Sequence, residues 1–283
     1  MKAELLVSTE MLAAHLDDPD WIVFDTRHDL VDTEKGRRAW KAAHIPGAYF
    51  MHMDEDLSGV KTGRNGRHPL PPIGEFAARM NKCGVSPGRQ VVVCDDGGGS
   101  FAVRLWWMLR WLGHDRVALL DGGFAAWQRE KRPVNAAVPA PREGQFEPRP
   151  MLGAIADMHY VAAFRESPTV RIVDARAPVR FTGEQETIDP VAGHIPGSVN
   201  RFWQDNLAHD GRFLPPEELR AEFLELLGGA PPALAVHYCG SGVTACHNQF
   251  AMELAGLSGS RIYPGSWSEW CADPSKPVAT GPK

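Results

Sequence analysis

The chain contains the stretch VRIVDAR at residues 170–176, which is followed by HIPGS at residues 194–198. The same two motifs occur earlier in the same order, as WIVFDTR at residues 21–27 and HIPGA at residues 44–48. Each motif has an apolar run or a turn-forming Pro-Gly pair, so each marks a definite place in a folded unit. Their ordered recurrence predicts two copies of one domain.

A third motif supports the duplication. It reads DGGFAAW at residues 121–127 and PGSWSEW at residues 264–270, which is 143 residues later. A proline-rich stretch separates the two copies, and proline at this density is typical of an extended linker. The sequence therefore predicts an N-terminal domain over residues 1–138, a linker over residues 139–153 and a C-terminal domain over residues 154–283.

Short apolar runs alternate with helical patterns in each half. Residues 90–94 and 116–120 have the character of strands that are buried on both faces. Residues 101–112 and 246–257 have the apolar periodicity of helices. Alternating strands and helices predict an α/β fold, in which a parallel sheet in each domain carries helices on both faces. Ligands of such sheets bind where strand carboxyl ends meet helix amino ends.

One such junction carries a reactive side chain. The apolar run LAVHY at residues 234–238 leads directly into CGSGVTA at residues 239–245, and a helix is predicted to follow. Backbone N–H groups at the start of a helix have no partner within the helix, and they stabilise a thiolate such as that of Cys239. Gly240 and Gly242 permit the backbone angles that bring consecutive N–H groups to one point.

The first half lacks this thiol. Counting back 143 residues from Cys239 leads to Asp96, in the loop that follows the predicted strand 90–94. A carboxylate repels anions and cannot carry sulfur. The sequence therefore predicts that only the C-terminal domain is catalytic.

Composition restricts the remaining classes of function. The net charge of −5 argues against general binding to nucleic acid. No apolar run is long enough for a membrane span, and the N-terminal residues do not resemble a signal peptide. The odd number of cysteines, five, argues against a disulfide framework, and their spacing is not that of a zinc site. We therefore expect a cytoplasmic protein without a bound metal or cofactor.

The paired motifs and the CGSGVTA loop together resemble the tandem rhodanese family, and the resemblance covers essentially the whole chain. It implies two similar α/β domains, an inactive first domain, and a site at their interface. Within the family, the neutral loop resembles that of 3-mercaptopyruvate sulfurtransferases. The resemblance implies that Cys239 takes sulfur from a small anionic donor, holds it as a persulfide and passes it to an acceptor.

The resemblance also assigns roles to three other side chains. Ser241 is expected to bind substrate and relay a proton, and His68, in the run GRNGRHPLP at residues 63–71, to act as its base. Asp54 is expected to orient this histidine, although Asp56 lies close enough to be an alternative. The donor would also contact backbone N–H groups of Gly240, Gly242, Val243 and Thr244.

Arg180 matches the arginine that grips the substrate carboxylate in the family, because a guanidinium binds a carboxylate in a planar, bidentate manner. The chain departs from the family pattern nine residues later, where a second arginine is replaced by Asp189. Arg64 or Arg67 is a candidate for the missing guanidinium.

The sequence leaves the sulfur donor and the acceptor open, and two other classes of function need to be compared with sulfur transfer. Thiosulfate is a possible donor in place of 3-mercaptopyruvate, and the acceptor is cyanide, thioredoxin or another thiol. A non-catalytic rhodanese-like binding module is a different class of function, but it predicts that both halves lack a nucleophile. A phosphatase of related fold would need an arginine six residues after the cysteine, where this chain has Ala245.

Overall fold

The computed structural model describes residues 4–282. Residues 1–3 and 283, the outer ends of the two predicted domains, lie outside the described part. The chain forms two compact units. The first comprises the residues up to Gly59, Leu70–Met151 and His209–Phe213, and the second comprises Val60–Pro69, Leu152–Ala208 and the residues from Leu214 onwards.

The first unit contains a five-stranded parallel sheet with the strand order β1-β5-β4-β2-β3. The strands are β1 (Leu6–Val7), β2 (Trp21–Asp25), β3 (Tyr49–Phe50), β4 (Gln90–Cys94) and β5 (Val117–Leu120). The helices are α1 (Thr9–Ala14), α2 (Lys35–Ala42), α3 (Ile73–Lys82), α4 (Ala102–Trp111) and α5 (Gly123–Arg129). Every residue of β4 is buried, as expected for the central strand of a sheet that is covered on both faces.

The second unit repeats this arrangement with a four-stranded parallel sheet in the order β7-β6-β8-β9. The strands are β6 (Arg171–Asp174), β7 (Val199–Asn200), β8 (Ala235–Tyr238) and β9 (Arg261–Ile262). The helices are α6 (Met158–Phe164), α7 (Pro178–Phe181), α8 (Pro216–Leu227), α9 (Ala245–Leu254) and α10 (Ser266–Trp270), with 3-10 turns at Trp203–Asn206 and Pro232–Leu234. An isolated parallel bridge between Ile155 and Ile262 stands where the first unit has β1.

Helices cover both faces of the second sheet. Val236 and Tyr238 of β8 pack in one apolar cluster with aromatic residues of α10. Ala235, which points to the opposite face, packs in another cluster with residues of α8 and α9. Because successive strand residues face opposite sides, β8 is buried on both faces of the sheet, and this packing fixes the position of its carboxyl end.

The predicted elements are present, and their ends differ by a few residues. The helix predicted over residues 246–257 ends at Leu254, because Gly256 adopts a left-handed conformation with φ +70° that terminates it. The strand predicted from residue 234 begins one residue later, after the turn Pro232–Leu234. The end of β8 at Tyr238 is as predicted, so Cys239 is the first residue after the strand.

The repeated Asp-x-Arg motif forms the same buried ion pair in both units. Arg27 binds Asp25 and also donates to the carbonyl oxygen of Ala43 at 2.7 Å. Arg176 binds Asp174 and donates to the carbonyl oxygen of Gly193 at 2.8 Å. Each guanidinium therefore ties the end of a strand to the segment before the His-Ile-Pro-Gly motif, which is a structural role.

The proline-rich stretch, as far as Met151, belongs to the first unit. It makes an isolated bridge from Asn135 to His44 and another from Arg142 to Cys83. The linker boundaries at residues 139 and 153 stay predictions. Among the residues that the structure describes, no helix is both long and apolar enough to cross a membrane.

Candidate active site

Cys239 lies at the carboxyl end of β8, in the loop that precedes α9, and its side chain is buried. Its Sγ atom accepts hydrogen bonds from the backbone N–H of Gly242 at 3.1 Å and of Ser241 at 3.5 Å. Two N–H donors directed at one sulfur atom stabilise a negative charge there, on a thiolate or on a sulfur attached to it. The structure therefore places the predicted nucleophile in the predicted cradle.

The Pro-Gly-x-aromatic motif at residues 264–270 forms hydrogen bonds with the main chain of this loop. The N–H of Trp267 donates to the carbonyl oxygen of Cys239 at 3.0 Å, and that of Ser268 donates to the carbonyl oxygen of Gly240 at 2.9 Å. Ser266 accepts a hydrogen bond from the N–H of Cys239 at 3.2 Å. These contacts were not predictable from the sequence, because main-chain donors leave no signature in residue type.

Other groups approach both glycines of the loop closely, and at Gly242 the approaching group is main chain. Gly242 has φ +77°, and a Cβ atom there would overlap the carbonyl oxygen of Pro264. A Cβ atom on Gly240 would lie 2.6 Å from Nη2 of Arg67 and 3.6 Å from Nη1 and Nη2 of Arg180. Two guanidinium groups therefore approach the main chain of the cysteine loop at the point where it carries no side chain.

The first unit has the corresponding loop, but the predicted equivalence with Asp96 is wrong. Cys94 pairs with Asp25 as Tyr238 pairs with Asp174, so the next residue, Asp95, corresponds to Cys239. Counting back 143 residues gave the wrong residue because the loop between β4 and α4 is one residue longer than the loop between β8 and α9.

In the first unit, the carboxylate of Asp95 occupies the corresponding set of main-chain N–H donors. Its Oδ1 accepts hydrogen bonds from the N–H groups of Gly97 and Gly99, both at 2.9 Å. Its Oδ2 accepts from Phe101 at 2.7 Å and from Ala102 at 2.9 Å. The loop of the first unit thus encloses a carboxylate of its own chain, where the second unit presents a thiol.

His68 and Ser241 lie in direct contact. Nδ1 of His68 is 2.8 Å from Oγ of Ser241, and both side chains are buried. The sequence position of His68 placed it in the N-terminal domain, but it belongs to the second unit, with Val60–Pro69. Gly66 fixes this segment, because a Cβ atom there would lie 2.7 Å from the carbonyl oxygen of Gly265.

The two candidate aspartates have different surroundings in the first unit. Asp56 accepts a hydrogen bond from the N–H of His52 at 2.7 Å and forms an ion pair with Arg79 at 3.1 Å. Asp54 has a carboxylate oxygen within 4.8 Å of ring nitrogens of His28 and His52. Asp56 therefore has two partners within the first unit; which of the two aspartates orients His68 stays a prediction.

This His-His-Asp cluster is poorly suited to a metal ion. Nδ1 of His52 accepts from the N–H groups of Asp54 at 3.2 Å and Glu55 at 3.3 Å, and Nε2 lies 3.0 Å from the carbonyl oxygen of Thr33. Both nitrogens of this ring are thus engaged by the main chain.

Arg180 lies beside the cysteine loop in a network of charged groups. It donates to Glu186 through Nε and Nη2, and Nη2 also lies 2.9 Å from Oδ2 of Asp189. Nη1 of Arg67 forms an ion pair with Oδ1 of the same aspartate. Asp189 therefore joins Arg67 to Arg180, whereas the side chain of Arg64 is exposed.

The pKa values of the two carboxyl groups in this network are shifted in opposite directions. Burial raises the pKa of Asp189, although Arg67 and Arg180 oppose this effect. Burial would also raise the pKa of Glu186, but hydrogen bonds from Arg180 and from the N–H groups of Asp189 and Ile188 lower it overall.

The other predicted donor contacts lie on the same loop. Val243 is buried, and Thr244 is the residue that precedes the first turn of α9. In the described part of the chain, the N–H groups of Gly240, Val243 and Thr244 have no hydrogen-bond acceptor. These three groups are therefore available to an anionic ligand.

Three of the remaining thiols are poor nucleophiles. Burial raises the pKa of Cys83 and of Cys271 to about 11, and it raises the pKa of Cys94 well above the ordinary value. Such thiols are almost wholly protonated at neutral pH, and only a thiolate attacks sulfur.

The fold and this loop define a protein class that the comparisons with known proteins also give. The model of the rhodanese-like domain matches the chain twice, over residues 8–130 and 157–273. The chain belongs to the rhodanese family. The predicted family and the predicted fold of two tandem rhodanese-like domains are thereby confirmed.

Relatives over nearly the whole chain are named as sulfurtransferases. The chain is 48% identical to a probable 3-mercaptopyruvate sulfurtransferase of Pseudomonas aeruginosa over 283 residues, covering 99% of this chain and all of the relative. It is 35% identical to a thiosulfate sulfurtransferase of Mus musculus, covering 98% of this chain and 95% of the relative. The structure of a 3-mercaptopyruvate sulfotransferase of Escherichia coli superposes with a TM-score of 0.80 and 31% identity, covering 94% of this chain and 99% of that one.

Proposed function

We propose that this protein is a sulfurtransferase that takes sulfur from 3-mercaptopyruvate, carries it on Cys239 as a persulfide and delivers it to a thiol or to cyanide. The observation that carries the proposal is the cradle of N–H groups around Sγ of Cys239, with Ser241 and His68 in contact beside it. The names of the Pseudomonas and Escherichia coli proteins support the choice of donor.

In the first half-reaction, the thiolate of Cys239 attacks the sulfur atom of 3-mercaptopyruvate. An S–S bond forms, the C–S bond breaks, and its electron pair leaves on carbon as the enolate of pyruvate. The N–H groups of Ser241 and Gly242 stabilise charge on the sulfur atoms during this transfer. An acceptor thiolate then attacks the outer sulfur of the persulfide, and the thiolate of Cys239 is regenerated.

The departing enolate needs a proton at carbon. We assign this proton to the hydroxyl group of Ser241, and His68, whose Nδ1 lies 2.8 Å away, returns a proton to it. Asp54 is retained as the orienting carboxylate on the sequence resemblance alone. Thiosulfate would release sulfite, which leaves as an anion without protonation, so the relay is useful for a carbon leaving group.

Replacing His68 by asparagine tests this relay. The rate constant kcat with 3-mercaptopyruvate should fall roughly 10²- to 10⁴-fold, the range for loss of a general acid–base group. The decrease with thiosulfate should be much smaller, because sulfite needs no proton. Steady-state kinetics with both donors measure the difference, and His159→Asn, an exposed position of α6, is the control. Equal losses with both donors would contradict the relay.

The choice of donor is tested on the unmodified protein. We expect a higher kcat/KM with 3-mercaptopyruvate than with thiosulfate, because the loop residues Gly240 and Ser241 are neutral and suit a donor with a single negative charge. Steady-state rates of sulfite or pyruvate release, with cyanide as the acceptor, give both values. A clear preference for thiosulfate would replace this assignment with that of a thiosulfate sulfurtransferase, the activity in the name of the mouse relative.

The remaining assignments rest on the sequence. A cytoplasmic location, and a physiological acceptor that is thioredoxin, another thiol or cyanide, are predictions. A non-catalytic binding module is the weaker alternative, because such a module does not need a thiol in a cradle of N–H donors.

A further inference from the structure

We propose that the first unit contains a binding site for a small planar aromatic molecule that carries one anionic group. The site is a cavity of about 390 Å³, which is lined by residues of α2, β3, α3 and the proline-rich stretch, together with Glu55 and Asp56. Small-molecule sites have volumes of roughly 300–1,000 Å³. The inference goes beyond the proposed function and does not depend on it, because the lining residues belong to the first unit and Cys239 belongs to the second.

Three aromatic side chains give the cavity an apolar surface, namely Trp40, Tyr49 and Phe50. Nε1 of Trp40 donates a hydrogen bond to the carbonyl oxygen of Ala48 at 2.9 Å, and the hydroxyl group of Tyr49 donates to the carbonyl oxygen of Ala140 at 2.7 Å. The polar atoms of these two rings are therefore engaged within the protein. The rings contribute mainly apolar surface to the cavity, and such surface favours a planar aromatic ligand.

The proline-rich stretch adds an exposed apolar side chain to the wall of the cavity. Val138 lines the cavity and is 73% exposed. Pro139 and Pro141 line it on the same stretch, and proline restricts the backbone there. A ligand in the cavity would remove apolar surface of Val138 from water, which is favourable.

Two arginines at the cavity are paired with two carboxylates. The guanidinium group of Arg37 forms an ion pair with Glu55 and lies 5.9 Å from the ring centroid of Phe50. Nε of Arg79 lies 3.1 Å from Oδ1 of Asp56. These two pairs are electrically neutral, so the remaining ionisable residues of the lining determine its charge.

Two lysines supply that charge. Lys41 lies in the last turn of α2 and Lys82 is the last residue of α3, and in the described part of the chain neither ammonium group has an ion-pair or hydrogen-bond partner. Burial raises the pKa of the Cys83 thiol to about 11, so this lining residue adds no charge at neutral pH. The carboxyl-terminal ends of the two helices, at roughly −0.5 each, offset about one of the two positive charges. The excess of about one positive charge matches a single anionic group, although the whole chain carries a net charge of −5.

Isothermal titration calorimetry with 1-naphthoate, a planar aromatic carboxylate, tests the inference on the unmodified protein. We expect binding with a Kd of about 1 mM or lower, given the usual affinity per atom of small ligands. Acetate has the same charge without the ring, and 1-naphthylmethylamine has the ring with the opposite charge. Each of these two compounds should bind at least about 10-fold more weakly than 1-naphthoate, because each lacks one of the two features that the cavity recognises.

Two variants at exposed positions locate the site. The double variant Lys41→Gln/Lys82→Gln should weaken 1-naphthoate binding roughly 5- to 20-fold, since each partly exposed ion pair contributes about 2- to 5-fold. Val138→Asp should weaken it by a similar factor, because a carboxylate on the wall repels the anion. The matched controls are Lys131→Gln and Val134→Asp, exposed positions of the first unit outside the cavity lining, and both should leave the affinity unchanged.

The five substituted positions are exposed, so the variants should fold, and thermal unfolding checks this. Absence of 1-naphthoate binding at millimolar concentration would overturn the inference, as would equal binding of 1-naphthylmethylamine. An affinity that is the same in the cavity variants and in their controls would also overturn it, because the anion would then bind elsewhere. None of these outcomes bears on sulfur transfer by Cys239, so the proposed function stands or fails by its own tests.

Discussion

Replacing Cys239 by serine is expected to abolish sulfur transfer with either donor. The serine hydroxyl is a far weaker nucleophile towards sulfur and forms no persulfide, so the cradle at Ser241 and Gly242 would have no sulfur to stabilise. Two measurements follow: the rate of pyruvate or sulfite release, and the mass of the intact protein after exposure to the donor. The unmodified protein should gain the mass of one sulfur atom, and the variant should gain none.

The matched controls are Cys83→Ser and Cys94→Ser. Both thiols are buried, and their raised pKa values leave them protonated, so neither variant should lose activity or the added sulfur. Some loss of stability is expected for Cys94→Ser, because a hydroxyl group would replace a thiol in the core of the first unit. Residual turnover in Cys239→Ser at the level of the controls would refute the central assignment.

The second large effect is expected from Gly242→Ala. The new Cβ atom would overlap the carbonyl oxygen of Pro264, so the backbone at residue 242 must move. Its N–H group, 3.1 Å from Sγ of Cys239, would then lose its alignment with the sulfur. Removal of one such main-chain donor costs about 10²- to 10³-fold in kcat, and we expect a loss of that size here.

Gly229→Ala separates this effect from ordinary backbone strain. Gly229 is exposed, has φ +90°, and has open space where a Cβ atom would lie. Both variants incur the cost of a left-handed alanine, about 1–2 kcal/mol of folding free energy. Thermal unfolding should therefore change in both, while kcat should fall only in Gly242→Ala. An equal kcat in the two variants would show that the cradle does not contribute to catalysis.

The loop between β4 and α4 of the first unit was only partly predictable from the sequence. The strand, the loop and the helix were all predictable there, because buried apolar runs and helical periodicity are local features. The residue equivalent to Cys239 was not, because one extra loop residue shifts the count from Asp95 to Asp96. Only the hydrogen-bond register of the sheet determines which side chain stands at the strand end.

The residues of the candidate site were also only partly predictable from the sequence. The neighbouring residues Cys239, Ser241 and Gly242 were predictable together, since the single seven-residue motif CGSGVTA contains them. His68 was predictable as a partner of Ser241 only through family resemblance, and its membership of the second unit was not predictable at all. The link from Arg67 to Asp189 joins residues 122 positions apart, and no local pattern indicates it.

The sequence by itself determined the duplication and the two parallel-sheet domains, and it singled out Cys239 as the candidate nucleophile, because these depend on periodicity, motif order and the chemistry of one loop. Tertiary structure decided which N–H groups point at the sulfur and which aspartate replaces Cys239 in the other unit. It also decided that Asp189, at the place of an expected arginine, binds two arginines instead. These depend on strand register and on long-range ion pairs, which arise only when distant segments pack together.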